Sequence, residues 1–151
     1  MGDDRSMIDE LRKLVRERRR YPLEAYLFLY QALDMAQRLV GEKRHVSGPE
    51  LLEGVRKLAV EQFGPLALMV FQHWGIRRTQ DVGEMVFNLV DRELMGKTDQ
   101  DKREDFDAVF DIEEVFAPQR LMAEQDPKQL IPPYRVSARD LPSAARASNA
   151  P

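Results

Sequence analysis

The chain has no cysteine among its 151 residues. Disulfides, thiol nucleophiles and thiolate-held zinc or iron–sulfur centres are therefore excluded. Histidine is nearly as scarce: His45 and His73 are the only two, 28 positions apart, whereas a metal site needs three or four converging ligands. The glycines at 41, 48, 54, 64, 75, 83 and 96 never fall into the dinucleotide or Walker spacing. Long apolar runs are also missing. The densest, Leu66 to Phe71, is far shorter than the roughly 20 residues that span a bilayer. The first six residues are polar and charged and supply no apolar core of a secretory signal. No cofactor, metal or membrane span is expected, and the expected location is the cytoplasm.

What remains is 43% hydrophobic and 32% charged, with a formal charge of −3, a balance that fits one folded core. The punctuation is helical. Met7, Ile8, Leu11, Leu14 and Val15 recur at three- and four-residue spacing after Ser6, a suitable N-cap, and predict a first helix to about Arg20. Tyr21-Pro22 breaks it. The second helix, Pro22 to about Val40, is apolar over most of its circumference except for a strip of Glu24, Gln31, Asp34 and Arg38, the mark of a central helix. Ser47 with Glu50 three residues on forms a capping box for the third, and Phe63-Gly64-Pro65 ends it and begins a short apolar fourth closed by Trp74-Gly75. Asp81 is the expected cap of a fifth, which Gly96 should terminate.

From Phe106 the period changes to two: Phe106, Ala108, Phe110 and Ile112 alternate with Asp107, Val109, Asp111 and Glu113. That pattern predicts a short strand or an extended arm anchored by Phe106, Phe110 and Phe116. The predicted fold is thus mainly α, a compact bundle of about five helices with a docked acidic arm over 97–116. The domain is placed at 7–116 and a flexible, proline-rich tail at 117–151, where six of the nine prolines fall.

Three chemistries can be tested on the residues. Residues 97–114 carry eight acids against three bases, but an EF-hand loop starting at Asp99 would put Glu104 where glycine belongs and Phe110 where glutamate belongs. The run reads first as a solvated face, and second as a weak cation site or a contact for a basic partner. Arg12, Arg16, Arg19 and Arg20, beside Tyr21, could neutralise phosphates and stack on a base, yet they equally suit the negative end of the first helix or a contact with the acidic segment. Arg44, His45, Glu50, Trp74 and Asp81 would be the residues of an enzyme site if they converged in one cleft.

The words Tyr21-Pro22-Leu-Glu24-Ala25-Tyr26, Arg44-His45-Val46-Ser47-Gly48, Phe63-Gly64-Pro65, Trp74-Gly75, Asn88-Leu89-Val90, Leu94-Met95-Gly-Lys97-Thr98 and Asp105-Phe106, in that order, resemble an uncharacterised family of small bacterial proteins described as restricted to planctomycetes and verrucomicrobia. The resemblance covers about residues 7–116, with Val82 standing where that family is expected to carry an aromatic. It implies a bacterial cytoplasmic protein and brings no activity, cofactor or catalytic residue with it. Since every catalytic, metal and phosphate template fails, the expected function is a non-enzymatic interaction or regulatory module with a protein partner. Nucleic-acid association through Arg12 to Tyr21 is the alternative, and an enzyme around Arg44 and His45 the second. Oligomeric state is open.

Overall fold

A computed structural model describes residues 2–42 and 44–124, with side chains from residue 6 to residue 122 apart from Lys43. Five helices build the bundle: α1 (Gly2–Arg18), α2 (Leu23–Val40), α3 (Gly48–Phe63), α4 (Ala67–Trp74) and α5 (Thr79–Asp91). A single 3₁₀ turn, Gly64–Leu66, joins α3 to α4, another lies at Arg103–Phe106, and the short helices α6 (Ile112–Val115) and α7 (Pro118–Glu124) follow. No strand occurs among the described residues. The chain divides into a unit of 1–121 and a second unit of 122–151, and only the end of α7 in the latter is described.

Local chemistry explains most of the boundaries. Gly41 and Gly75 take left-handed backbone (φ 80° and 81°) and end α2 and α4, where a side chain would be strained. Ser47 caps α3 as expected: its hydroxyl accepts from the Glu50 N–H at 3.3 Å, and its own N–H donates to Glu50 Oε1 at 2.9 Å. Pro22 sits just outside α2, at its N-cap.

The core lies where α2 crosses α3. A methyl placed on Gly54 would stand 2.4 Å from the Ala32 carbonyl oxygen and 2.8 Å from the Ala36 Cβ, so the two helices approach backbone to backbone through small residues. Around that seam Leu11, Leu14, Tyr26, Leu29, Leu52 and Leu89 are fully or almost fully buried. At one end Phe28, Phe63, Phe71 and Trp74 form a ring cluster with centroids 5.4–6.1 Å apart.

The structure departs from the sequence-based expectations in five places. Helix α1 begins at Gly2, so Ser6 lies inside it and is no cap. Helix α5 stops at Asp91, five residues before Gly96, because Glu93 turns left-handed (φ 59°) and the Leu94 N–H closes onto the Leu89 carbonyl at 2.8 Å. Asp81 is the third residue of α5, not its cap. Residues 106–112 are no strand: Ala108 adopts φ 46°, which an extended chain cannot contain. The buried Thr79 hydroxyl donates to the Phe106 carbonyl at 2.6 Å and accepts from the Val109 N–H at 3.2 Å, clamping those residues into a compact turn. Finally, Pro118–Glu124 is helical and Leu121 is buried, so core packing continues beyond Ala117. The rest of the expected proline-rich tail, 125–151, lies outside the described residues.

The arm nevertheless docks by aromatics. Phe106 is buried in a slot walled by two glycines: a methyl on Gly83 would come within 2.8 Å of its Cβ and Cγ, and one on Gly48 within 3.1 Å of its ring. Its ring meets Phe87 edge-on at 6.4 Å. Phe116 is fully buried, edge-on to Phe71 at 5.1 Å and to Phe110 at 6.1 Å.

Candidate functional site

The arm's approach to α3 and α5 leaves a half-open pocket of about 140 Å³. Its walls are mostly apolar, with Leu33 from α2, Leu51 from α3, Val86 and Val90 from α5, Met95 from the chain after α5, and Phe106. Polar groups from His45, Asp101 and Lys97 stand among the lining. An enclosure of this volume suits one branched or aromatic side chain.

His45 is exposed on the chain leading into α3, with Nε2 2.6 Å from Asp101 Oδ2. Asp101 is itself fixed, because the Thr98 N–H (2.7 Å) and Thr98 hydroxyl (3.2 Å) both donate to the same oxygen. Arg44 next door is strapped down: its guanidinium grips both Glu50 oxygens, at 3.1 and 2.7 Å, and donates to the His45 carbonyl at 2.9 Å. The Arg44 hydrogen bonds, joined by the Ser47 backbone N–H, hold the Glu50 carboxyl down at about 2. Arg44 and Glu50 thus fix the backbone that presents His45, and the Ser47 hydroxyl accepts the Glu50 N–H as the cap of α3.

Trp74 and Asp81 do not join this group. Trp74 is a partly buried member of the ring cluster. Asp81 is buried and fully engaged at the start of α5. Its Oδ2 accepts the Arg77 and Arg78 N–H groups at 2.8 and 3.0 Å, and its Oδ1 receives Arg20 at 3.4 Å. The Tyr21 hydroxyl lies 2.7 Å from Glu84 Oε2 and 3.2 Å from Asp81 Oδ1. Burial, then the hydrogen bond to Glu84, push the Tyr21 phenol far above its ordinary value, so it is a neutral donor tying the α1–α2 turn to α5.

The candidate polyanion surface is correspondingly broken up. Tyr21 is buried under Arg20, whose guanidinium covers its ring at 5.2 Å, so the ring cannot stack on a base. Arg20 is engaged with Asp81 and Glu84, Arg18 lies 3.9 Å from Asp91, and Glu17 pairs with Arg92. The basic end of α1 therefore pairs with α5, and not with residues 97–114 as one expectation had it. Arg12 and Arg16 remain exposed, and Arg19 turns left-handed (φ 48°) to close α1.

Comparisons with protein-family models, with curated proteins and with solved structures find no match to this chain. The pocket's apolar walls and Lys97 escaped the sequence reading because they come from α2, α3, α5 and the arm. Met95-Gly-Lys97 followed by the Thr98/Asp101 turn was the one local sign of a shaped loop there.

Proposed function

We propose that the protein is a non-enzymatic interaction module that seats one apolar side chain of a partner polypeptide in the pocket between α3, α5 and the arm. The observation that carries this reading is the pocket itself, mostly apolar in its lining with a few polar groups among it, the composition of an anchor site. Charge narrows the partner. Lys97 has no acidic partner among the described residues and sits 5.5 Å over the Phe87 ring, so an acidic residue flanking the anchor is favoured. For the enzyme alternative, Arg44, His45 and Glu50 stay together, with His45 beside Asp101 at the pocket, while Trp74 and Asp81 belong to other networks. The nucleic-acid alternative loses support because Tyr21 is buried and Arg20 is paired. A bacterial cytoplasm is the proposed setting, as the family resemblance implies.

The test is capture from bacterial lysate by the full chain after nuclease treatment, alongside Val90→Trp, which fills the pocket, and Lys97→Glu, which reverses its charge. A defined acidic-flanked partner, lost with Val90→Trp and weakened by Lys97→Glu at unchanged melting temperature, supports the proposal. Capture indifferent to both substitutions, or retention of nucleic acid alone without nuclease, overturns it.

A further inference from the structure

A second recess, independent of the apolar pocket, opens where the last turn of α1 and the Arg103–Phe106 turn meet the first half of α5. It is about 310 Å³ in volume and polar, and three arginines line it: Arg18 from α1, Arg78 from the residue before α5, and Arg103 from the arm. We infer that this recess binds the phosphoryl group of a small phosphomonoester.

Three arginines and three carboxylates line the recess, so the pairing among them decides which groups are left for a ligand. Asp81 and Glu84 also line it, but both are already engaged. Asp81 takes two backbone N–H groups, and Arg20 and Tyr21 serve both carboxylates from the α1–α2 turn. Among the described residues Arg78 and Arg103 have no acid within ion-pair distance, and Arg18 has only Asp91 at 3.9 Å. Asp107, the third lining carboxylate, has no side-chain hydrogen bond or ion pair among the described residues. The donors left over are therefore planar guanidiniums, whose forked N–H groups match the spacing of phosphoryl oxygens. Arg103 is also oriented in advance, with its guanidinium carbon 5.0 Å above the Phe87 ring.

A single compact anion fits better than a nucleic-acid strand. The three arginines line one recess instead of forming a stripe, and Asp91 beside Arg18 would repel a second phosphate placed one nucleotide further on. Arg78 and Arg103, 25 positions apart, lie outside the Arg12 to Tyr21 cluster, so no local run of bases announces the site.

The experiment is an amide chemical-shift titration of the ¹⁵N-labelled full chain with phenyl phosphate, with inorganic phosphate and with a single-stranded oligonucleotide at constant ionic strength. Phenyl phosphate should saturate shifts at Gln80, Gly83 and Arg103. Arg103→Gln and Arg78→Gln should each weaken it about tenfold, whereas Lys57→Gln on α3 and the pocket-filling Val90→Trp should leave it unchanged. Arg103 lies on the exposed side of the arm, so its variant remains informative if Arg78→Gln perturbs the start of α5. Shifts that never saturate, equal weakening by Lys57→Gln, or an oligonucleotide that binds through Arg78 and Arg103 when phenyl phosphate does not, would each overturn the inference.

Discussion

The α2–α3 seam and the docked arm both depend on glycine, and in opposite ways. At Gly54 the missing side chain lets two rigid backbones touch, so nothing on either side can yield. At Gly83 and Gly48 the missing side chains make room for a side chain, the Phe106 ring, brought in by a segment that is otherwise turns and loops. The seam is a contact within the bundle. The arm is an ordered addition whose backbone entropy must be offset by few residues, mainly Phe106, Ile112 and Phe116. The pocket and the arginine recess both take a wall from the arm.

The comparison is broken most severely at its anchor. Phe106→Ala should cost about 3–5 kcal/mol and expose residues 93–105 to limited proteolysis before the helices are cut. A loss under about 1 kcal/mol in urea unfolding would mean that the ring is not packed in its slot. Gly54→Val comes next, with a loss of about 3 kcal/mol by overpacking against the Ala32 carbonyl. It should lower the melting temperature by roughly 10 °C without any selective cleavage of the arm. Thr79→Val separates the clamp from the ring: it leaves the Phe106 carbonyl and Val109 N–H without their partner, at a cost of about 1–2 kcal/mol read as a shift in urea midpoint.

The smallest effect concerns the loop that presents His45. The Glu50 carboxyl is held at about 2, below its ordinary 4.5. A depressed folded-state value means that its contribution is complete above the unfolded value and lost as pH falls through the folded one. The stability difference between the wild type and Glu50→Gln should therefore be constant above pH 5.5 and shrink between 4.5 and 2. A difference that grew with acidification would contradict the Arg44–Glu50 lock.

Legibility in the sequence follows the range of each interaction. The Ser47–Glu50 box and the glycine end of α4 are written within a few residues, and each lies where the sequence places it. Helix α2 buries Tyr26, Phe28 and Leu29, but Leu27 and Leu39 are exposed, so its apolar surface is not packed all round. The end of α5 was misplaced because Glu93, a residue with no special liking for left-handed backbone, makes the turn that Gly96 was expected to make. The alternating pattern over 106–112 was real, but Thr79, 27 positions before Phe106, folds it into a turn through a bond no local pattern encodes. Leu121 carries no periodic partner in its surroundings, so its burial was invisible. At the site, Arg44, His45 and Glu50 could be grouped by proximity in the chain. Asp101, Lys97, Arg78 and Arg103 acquire their neighbours only through the tertiary fold.

Whether the arm is a fixed wall is tested most directly by amide hydrogen exchange at Val109 and Phe116. Their N–H groups are bonded to the Thr79 hydroxyl and the Ile112 carbonyl. Protection within about tenfold of the central α5 amides is the expected result, showing that arm and helix open together. Exchange at both amides close to the unprotected rate, with α2 and α3 still protected, would contradict it and remove the wall on which both sites depend.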